Sequence, residues 1–343
     1  MKAMILKRTS PFQENRCPLE MADVPDPVPA DGEILIRVAV CGVCHTELDE
    51  IEGRMPPPHF PVILGHQAVG RVAAAGKHVT AHKAGDRVGV GWIHSACGRC
   101  PFCAAGMENL CPDFIATGRD RNGGYGEYMT VPEGSAYPVP DVLSDAEAAP
   151  LLCAGAIGYR SLRLTGIRDG QSLGLTGFGA SAHLVLKMAR QLYPRTGVFV
   201  FARSKKEQRF ALELGAVWAG GTEASPPEKL QAVIDTTPVW KPVVAAMRSL
   251  KSGGRLVINA IRKEEGDREA LLELDYAAHL WLEKEIKSVA NVTRSDIREC
   301  LQLMADIPVR PQIQTFSLSE ANRALAELKS GQIRGAKVLI LSG

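Results

Sequence analysis

Four cysteines lie close together in the stretch CGRCPFCAAGMENLC, which covers residues 97–111. They are Cys97, Cys100, Cys103 and Cys111. Four thiolates at such short spacings can surround one zinc ion and leave no position for a substrate. The alternative, two disulfides, would be strained among such near neighbours, and an odd total of nine cysteines leaves at least one thiol unpaired. The stretch therefore predicts a closed structural zinc site, with the chemistry located elsewhere.

A second motif, TGFGASAH at residues 176–183, follows a strand-like run and opens a helical one. Gly177 permits a tight turn, Gly179 lets the backbone approach a pyrophosphate, and the small Ala182 allows close packing of helix on strand. The phosphates would meet free N–H groups at the helix N-terminus. We therefore expect a dinucleotide site here, with Phe178 as a further member; a plain strand-to-helix turn is the alternative.

Selectivity between the two nicotinamide cofactors is expected after the next strand, GVFVFA at residues 197–202. An acidic residue there would bind the ribose 2′-hydroxyl of NAD(H). The chain instead continues with Arg203, Ser204 and two lysines. A basic cluster suits a 2′-phosphate, although a solvated, charged helix start has the same composition. The pattern favours NADP(H) over NAD(H), bound by Arg203 and Ser204.

The two parts of the chain that carry these motifs have different patterns. From residue 1 to about 140, short β-like runs are broken by Gly and Pro. From about residue 171, strand-like and helical runs alternate, which predicts a parallel, doubly wound sheet. One face of the helix after the glycine turn has the apolar pattern of a helix packed on a sheet. Its residues are Ala182, Val185, Ala189 and Leu192.

Composition limits the class of protein. The chain has 343 residues, more than one core usually supports, so two domains are expected. A net charge of +2 gives no indication of nucleic acid. The sequence contains no run of about 18 apolar residues, so no membrane span is expected. The start MKAMILKRTS lacks the apolar region of a secretory signal. We expect a cytoplasmic protein with reduced thiols.

Three further segments each offer one metal ligand. They are CGVCHTEL, GHQAVGRV and LLCAGAIGYRSL, with Cys44, His66 and Cys153. No local spacing rule joins residues so far apart, and each alone is more simply interpreted as a buried packing residue. In this order, however, together with the four-cysteine loop and the glycine turn, the segments resemble the zinc-dependent alcohol dehydrogenases of the medium-chain dehydrogenase/reductase superfamily. The resemblance covers nearly the whole chain.

The resemblance implies a Rossmann-type doubly wound parallel sheet plus a β-rich, GroES-like catalytic domain. The catalytic domain is expected at residues 1–150, completed by 290–343, and the dinucleotide-binding domain at 151–289. The segment EANRALAELKSGQIRGAKVLIL is similar to the C-terminal segment of the family. A homodimer or homotetramer is implied, paired through the sheet edge near EIKSVANV at residues 285–292.

The resemblance assigns Cys44, His66 and Cys153 to a catalytic zinc with a fourth position open to substrate, which makes two zinc ions per chain. Zinc acidifies a bound hydroxyl, so the implied reaction is hydride transfer between an alcohol and the nicotinamide cofactor. Thr46 aligns with the hydroxyl residue that begins the proton relay of the family. His45 aligns with a basic position near the cofactor pyrophosphate.

Three positions depart from the family pattern. Gln67 replaces a glutamate that lies near the zinc, which removes a negative charge. Asp49 replaces the histidine that ends the relay, and it either passes protons or is a solvated surface group; the sequence leaves both open. Glu47 replaces an aspartate that orients the ligand histidine, and its side chain is longer by one methylene.

The leading hypothesis is a zinc-dependent alcohol dehydrogenase or aldehyde reductase that acts on a primary or secondary alcohol, or the matching aldehyde or ketone, with NADP(H). Trp92 and Met55 align with positions that line the substrate pocket. An NAD-dependent polyol or sugar dehydrogenase on the same scaffold is the close alternative. A nucleotide-binding redox sensor without catalysis is the alternative from another class, and it predicts one zinc per chain instead of two.

Overall fold

The computed structural model describes residues 1–331 and 334–341; residues 332–333 and 342–343 of the predicted C-terminal segment lie outside the described residues. The strands are β1 (Lys2–Leu6), β2 (Leu19–Asp23), β3 (Glu33–Val43), β4 (Val62–Ile63), β5 (Ala68–Ala75), β6 (Arg87–Val90), β7 (Ile93–Ser95), β8 (Ile115–Ala116), β9 (Tyr128–Pro132), β10 (Ala136–Pro138), β11 (Ser172–Thr176), β12 (Gly197–Phe201), β13 (Trp218–Gly220), β14 (Leu230–Asp235), β15 (Leu250–Ile258), β16 (Glu285–Ser288), β17 (Ile313–Ser317) and β18 (Ala336–Ile340). The helices are α1 (His45–Ile51), α2 (Pro101–Ala104), α3 (Asp145–Ala148), α4 (Ala154–Thr165), α5 (Ala180–Leu192), α6 (Lys205–Glu213), α7 (Lys241–Ser249), α8 (Arg294–Asp306) and α9 (Ala321–Lys329). Within the described ranges, no helix has both the length and the hydropathy needed to cross a membrane.

The chain forms two compact units. The first comprises Met1–Ala156 and Thr293–Gly343, and the second is Ile157–Val292. Cys153 therefore belongs to the first unit, whereas the predicted boundary at residue 150 placed it in the second. The reason is tertiary packing, because the 3₁₀ turn Ala149–Leu152 packs against β3 and β18.

The first unit is β-rich, as predicted. Its main sheet has the order β10-β6-β5-β3-β18-β17, with β9 also paired to β3. Three alternate residues of β3, Ile34, Ile36 and Val38, are at most 1% exposed. This period of two is what a strand with one face in the core requires. Because β18 pairs antiparallel with β3, the C-terminal segment completes this sheet.

The second unit contains the predicted parallel sheet, with the order β13-β12-β11-β14-β15-β16. The strand order reverses between β11 and β14, which is where such sheets bind nucleotides. Ala182, Val185 and Ala189 are buried as predicted, whereas Leu192 is 39% exposed, so that part of the prediction is wrong. Leu192 is the last residue of α5, where the helix no longer has a following turn to hold the side chain against the unit.

Candidate metal and cofactor sites

The three separated ligand candidates come together in the first unit. One nitrogen of His66 and the sulfurs of Cys44 and Cys153 all lie within 4.8 Å of one another. Cys44 follows β3 and is the N-cap of α1. His66 precedes β5 and is 1% exposed, and Cys153 follows the 3₁₀ turn that packs against β3. The antiparallel pairing of β3 with β5 therefore sets Cys44 beside His66.

Glu47 holds His66 in the orientation that a metal ligand needs. Its Oε1 lies 2.6 Å from His66 Nδ1, and its Oε2 accepts the backbone N–H of Cys44 at 2.7 Å. The extra methylene is thus accommodated, because the side chain also closes a capping box at the start of α1. Burial alone would lower the pKa of His66, but the Glu47 carboxylate and the sulfur of Cys44 together outweigh burial and raise this pKa.

The donor set fits a zinc ion. With Nδ1 facing a carboxylate, the nitrogen left for a metal is Nε2, which has no hydrogen-bond partner in the described part of the chain. A hydrogen bond from Cys153 lowers the pKa of Cys44 despite burial, and the same contact raises the pKa of Cys153. One imidazole and two sulfurs, one of them already favouring the thiolate, are ligands typical of catalytic zinc.

Two neighbours of these ligands lie on α1. The Oγ1 of Thr46 is 3.6 Å from the sulfur of Cys44, and Thr46 is 7% exposed. Asp49 is 4% exposed, and its Oδ1 accepts a hydrogen bond from Nε of Arg54 at 2.6 Å. The alternative that Asp49 is a solvated surface group is therefore wrong. His45, the first residue of α1, is exposed.

The four-cysteine loop also gathers its sulfurs. The sulfurs of Cys97, Cys100, Cys103 and Cys111 lie within 4.8 Å of one another. Backbone N–H groups of Arg99 and Cys100 point at Cys97 and lower its pKa to about 6, whereas burial raises the pKa of Cys103 to about 12. All nine cysteines are free thiols, so the disulfide alternative does not apply. The arrangement suits a metal that would replace the remaining thiol protons.

The glycine turn has the predicted strand–turn–helix context. Gly177 follows β11 with a φ of 81°, and a Cβ there would lie 2.7 Å from Oγ1 of Thr236. Only glycine meets both conditions. Gly179 is the N-cap of the 13-residue α5, and a Cβ there would meet nothing within 4 Å. Phe178 is 4% exposed, and its ring packs edge-on against Phe210, with the ring centres 5.5 Å apart.

The basic cluster begins where β12 ends. Ala202 is buried and Arg203 is exposed. The Ser204 hydroxyl has a structural task, since it accepts the N–H of Glu207 at 3.1 Å and donates to its carboxylate at 2.8 Å. This capping box starts α6. It could have been recognised in the sequence as Ser followed three residues later by Glu.

Trp92, which aligns with a position of the substrate pocket, lies beside a residue that the sequence analysis did not assign to the pocket. The guanidinium of Arg119 lies 5.8 Å from the ring centre of Trp92 and 5.7 Å from that of Phe114. Met55 is half-buried. Sequence reasoning also assigned no role to Glu50, which is completely buried on α1. No signal in the sequence distinguishes Glu50 from the other acids of α1, because its burial depends on tertiary packing.

Comparison with known proteins agrees with this geometry. Residues 30–141 match the family described as "Alcohol dehydrogenase GroES-like domain", and residues 188–339 the family described as "Zinc-binding dehydrogenase". The protein named "Probable alcohol dehydrogenase AdhA" of Mycobacterium tuberculosis is 40% identical over 346 residues, or 99% of this chain and 97% of that protein. An alcohol dehydrogenase of Geobacillus stearothermophilus is 33% identical, covering 94% of this chain and 96% of that protein.

A solved structure extends the comparison to three dimensions. The cinnamyl alcohol dehydrogenase of Sorghum bicolor superposes with a TM-score of 0.84 at 26% identity, covering 99% of this chain and 97% of that chain. The matches thus span the metal-ligand cluster, the four-cysteine loop and the parallel sheet. The chain belongs to the zinc-type alcohol dehydrogenase family of the medium-chain dehydrogenase/reductase superfamily, and it is an NAD(P)-linked oxidoreductase.

Proposed function

We propose that this chain is an NADP(H)-preferring alcohol dehydrogenase or aldehyde reductase with two zinc ions per chain. The observation that carries the proposal is the cluster of Cys44, His66 and Cys153, whose ligand atoms lie within 4.8 Å of one another. Its substrates are primary or secondary alcohols and the matching aldehydes or ketones. The four-cysteine loop would hold the second, structural zinc.

In this mechanism the chain holds the zinc and moves the proton. Bound zinc supplies a Lewis acid that polarises a carbonyl or acidifies a hydroxyl. Cys44, Cys153 and Nε2 of His66 would hold it, with His66 fixed by Glu47. The Thr46 hydroxyl would exchange a proton with the substrate oxygen, and a bound nicotinamide cofactor would supply or accept the hydride. Arg203 would pair with the 2′-phosphate, and the α5 N-terminus with the pyrophosphate.

The test is the oxidation of NADPH and NADH with aliphatic and aromatic aldehydes, with and without a strong zinc chelator. Chelator-sensitive turnover that favours NADPH would support the whole proposal. Turnover with NADH alone would keep the mechanism and overturn the cofactor preference. If only polyols or sugars react, with NAD, the alternative dehydrogenase on this scaffold is correct. Dinucleotide binding without turnover on any panel, in protein with one zinc, would support the sensor instead.

Removing the Thr46 hydroxyl should slow the reaction without removing the metal. We expect Thr46→Val to lower kcat about a hundredfold, the usual scale for a lost proton-transfer group. Thr46→Ser is the matched control and should stay within about threefold of the wild type, because it keeps the hydroxyl. Steady-state kinetics with zinc content measured in parallel would check this. Equal rates for the valine and serine variants would exclude Thr46 from the proton path.

The oligomer is proposed to pair through the β16 edge of the parallel sheet. All four residues of β16 are exposed, and in the described part of the chain β16 pairs only with β15. Exposed apolar side chains lie on this segment and just before it: Tyr276 (64%), Trp281 (54%), Leu282 (52%) and Ile286 (43%). An apolar sheet edge of this kind is typical of an interface.

A charge at this edge should separate the subunits. Ile286→Lys is expected to shift the mass in solution towards the monomer, because a cation would be buried in the interface. Light scattering coupled to size-exclusion chromatography measures the mass. Val217→Lys is the matched control, since Val217 is 62% exposed and precedes β13 at the opposite edge. A wild-type monomer, or two variants with the same mass as the wild type, would contradict this interface.

A further inference from the structure

A buried ion pair lies at the carboxyl end of β14. Lys263 binds the carboxylate of Asp235; the Asp235 side chain is 0% exposed and that of Lys263 is 8% exposed. The ammonium group also donates to the backbone oxygens of Thr237, at 2.8 Å, and Val239, at 3.0 Å. A lysine has three N–H donors, so all three are used within the chain. Lys263 therefore holds protein groups together instead of binding a phosphate of the cofactor.

This ion pair is one of several contacts made to the loop between β14 and α7, residues 236–240, which we call the β14 loop. The other contacts come from the same segment as the lysine, the one that follows β15. The N–H of Glu264 donates to the backbone oxygen of Pro238 at 2.6 Å. The carboxylate of Asp267 accepts the N–H of Trp240 at 2.8 Å. The segment after β15 therefore binds the β14 loop near its start, its middle and its end.

The β14 loop borders the glycine turn. Because β11 and β14 are neighbours where the strand order reverses, the loops that follow them are expected to form the two walls of the nucleotide crevice. A Cβ built on Gly177 would lie 2.7 Å from Oγ1 of Thr236 and 3.1 Å from Cγ2 of Thr237. Both threonines are half-buried. A displaced β14 loop would therefore change the space beside the turn where a pyrophosphate would lie.

Asp235 links the ion pair to the side of the loop that faces the turn. Its Oδ1 accepts the hydroxyl of Thr237 at 2.8 Å, while its Oδ2 accepts the ammonium of Lys263. One carboxylate thus fixes the threonine side chain and the lysine together. A buried charge that loses its partner is strongly unfavourable, so removal of either charge is expected to disturb the whole arrangement.

We propose that Asp235 and Lys263 are positioning residues, which hold the β14 loop in the place that dinucleotide binding requires and so set the affinity for the cofactor. This inference rests on the proposed function. The glycine turn serves the pyrophosphate, which NADPH and NADH share. Loss of the ion pair should therefore weaken the binding of both dinucleotides by a similar factor, whereas a change at Arg203 should discriminate between them.

The test is calorimetric titration of wild type, Asp235→Asn, Lys263→Met and the double variant with NADPH and with NADH. Each variant is expected to bind both dinucleotides about tenfold more weakly than the wild type. The KM for the cofactor should rise by a similar factor, while kcat at saturating cofactor stays within about threefold of the wild type. Asp169→Asn is the matched control, since it removes an ion pair with Arg195 at the amino end of the same sheet. It should bind both dinucleotides as the wild type does.

The double variant separates positioning from stability. It leaves no buried charge unpaired, so its midpoint of unfolding in urea should lie above that of either single variant. Its dinucleotide affinity should stay weak, because the β14 loop has lost the ammonium contacts. Where a single variant does not fold, the double variant decides the outcome.

A second measurement needs neither cofactor nor activity. Hydrogen–deuterium exchange of peptides that cover the β14 loop should be faster in the double variant than in the wild type, because the loop is held less firmly. Wild-type affinity in the double variant, or weaker affinity with unchanged exchange in the loop, would overturn this inference alone. A wild-type protein that binds neither dinucleotide would overturn the proposed function, and this inference with it.

Discussion

Replacing Cys153 with serine is expected to lower kcat roughly a thousandfold and to reduce bound zinc from two ions to one per chain. The serine hydroxyl stays protonated near neutral pH and is a poor zinc ligand, so the site keeps only Cys44 and His66. Zinc contributes several kcal/mol to stabilising charge in such transition states, and each ~1.4 kcal/mol is a factor of ten in rate. Steady-state kinetics and metal analysis of the purified protein would measure both changes.

The proposed second zinc would serve as an internal standard, because the four sulfurs of its loop are untouched by this change. Cys300→Ala is the matched control. Cys300 is a free thiol, 0% exposed, in the same compact unit, and it has no place in either sulfur cluster. It should keep two zinc ions and a rate within about twofold of the wild type. A Cys153→Ser protein with two zinc ions and normal turnover would remove Cys153 from the ligand set.

Reversing the charge at Arg203 is expected to exchange the cofactor preference. In the wild type kcat/KM should favour NADPH. In Arg203→Asp the value for NADPH should fall at least about a hundredfold, because a charge-assisted contact worth roughly 1.5–3 kcal/mol is lost and a repulsion replaces it. The value for NADH should fall little or rise, since the new carboxylate can accept hydrogen bonds from the ribose hydroxyls.

The change in the ratio of NADPH to NADH efficiency must be separated from a general effect of charge near α6. Arg209→Asp makes the same change at an exposed position of α6, the helix that begins two residues after Arg203. It should alter the ratio of NADPH to NADH efficiency by no more than about twofold, since exposed charges a Debye length away are screened. Equal loss of NADPH efficiency in both variants would mean that Arg203 acts through net charge. An unchanged ratio in Arg203→Asp would withdraw Arg203 from the cofactor site.

Several features of this protein are determined by the sequence alone, because they depend on residues that are close together in the chain. Gly177 has a φ of 81°. Glycine adopts a positive φ readily in any turn, so the glycine motif could be recognised without knowledge of the fold. The sulfurs of the four-cysteine loop are close because they are close in the chain. Alternation of strands and helices, and the period of two along β3, are likewise repeated patterns within short segments. The resemblance to the alcohol dehydrogenase family then identified Cys44, His66 and Cys153 as one ligand set, which no spacing rule could do.

Tertiary structure decided what depends on residues distant in the chain. The pairing of β3 with β5 brings Glu47 to His66, and this contact shows how glutamate can orient the histidine. A salt bridge with Arg54 takes Asp49 out of solvent, and packing on β3 and β18 keeps Cys153 in the first unit. The burial of Glu50 is likewise invisible in the sequence, where it is one of three acids in seven residues of α1. Burial and pairing depend on which surfaces meet, and that is settled only when the sheet and its helices pack together.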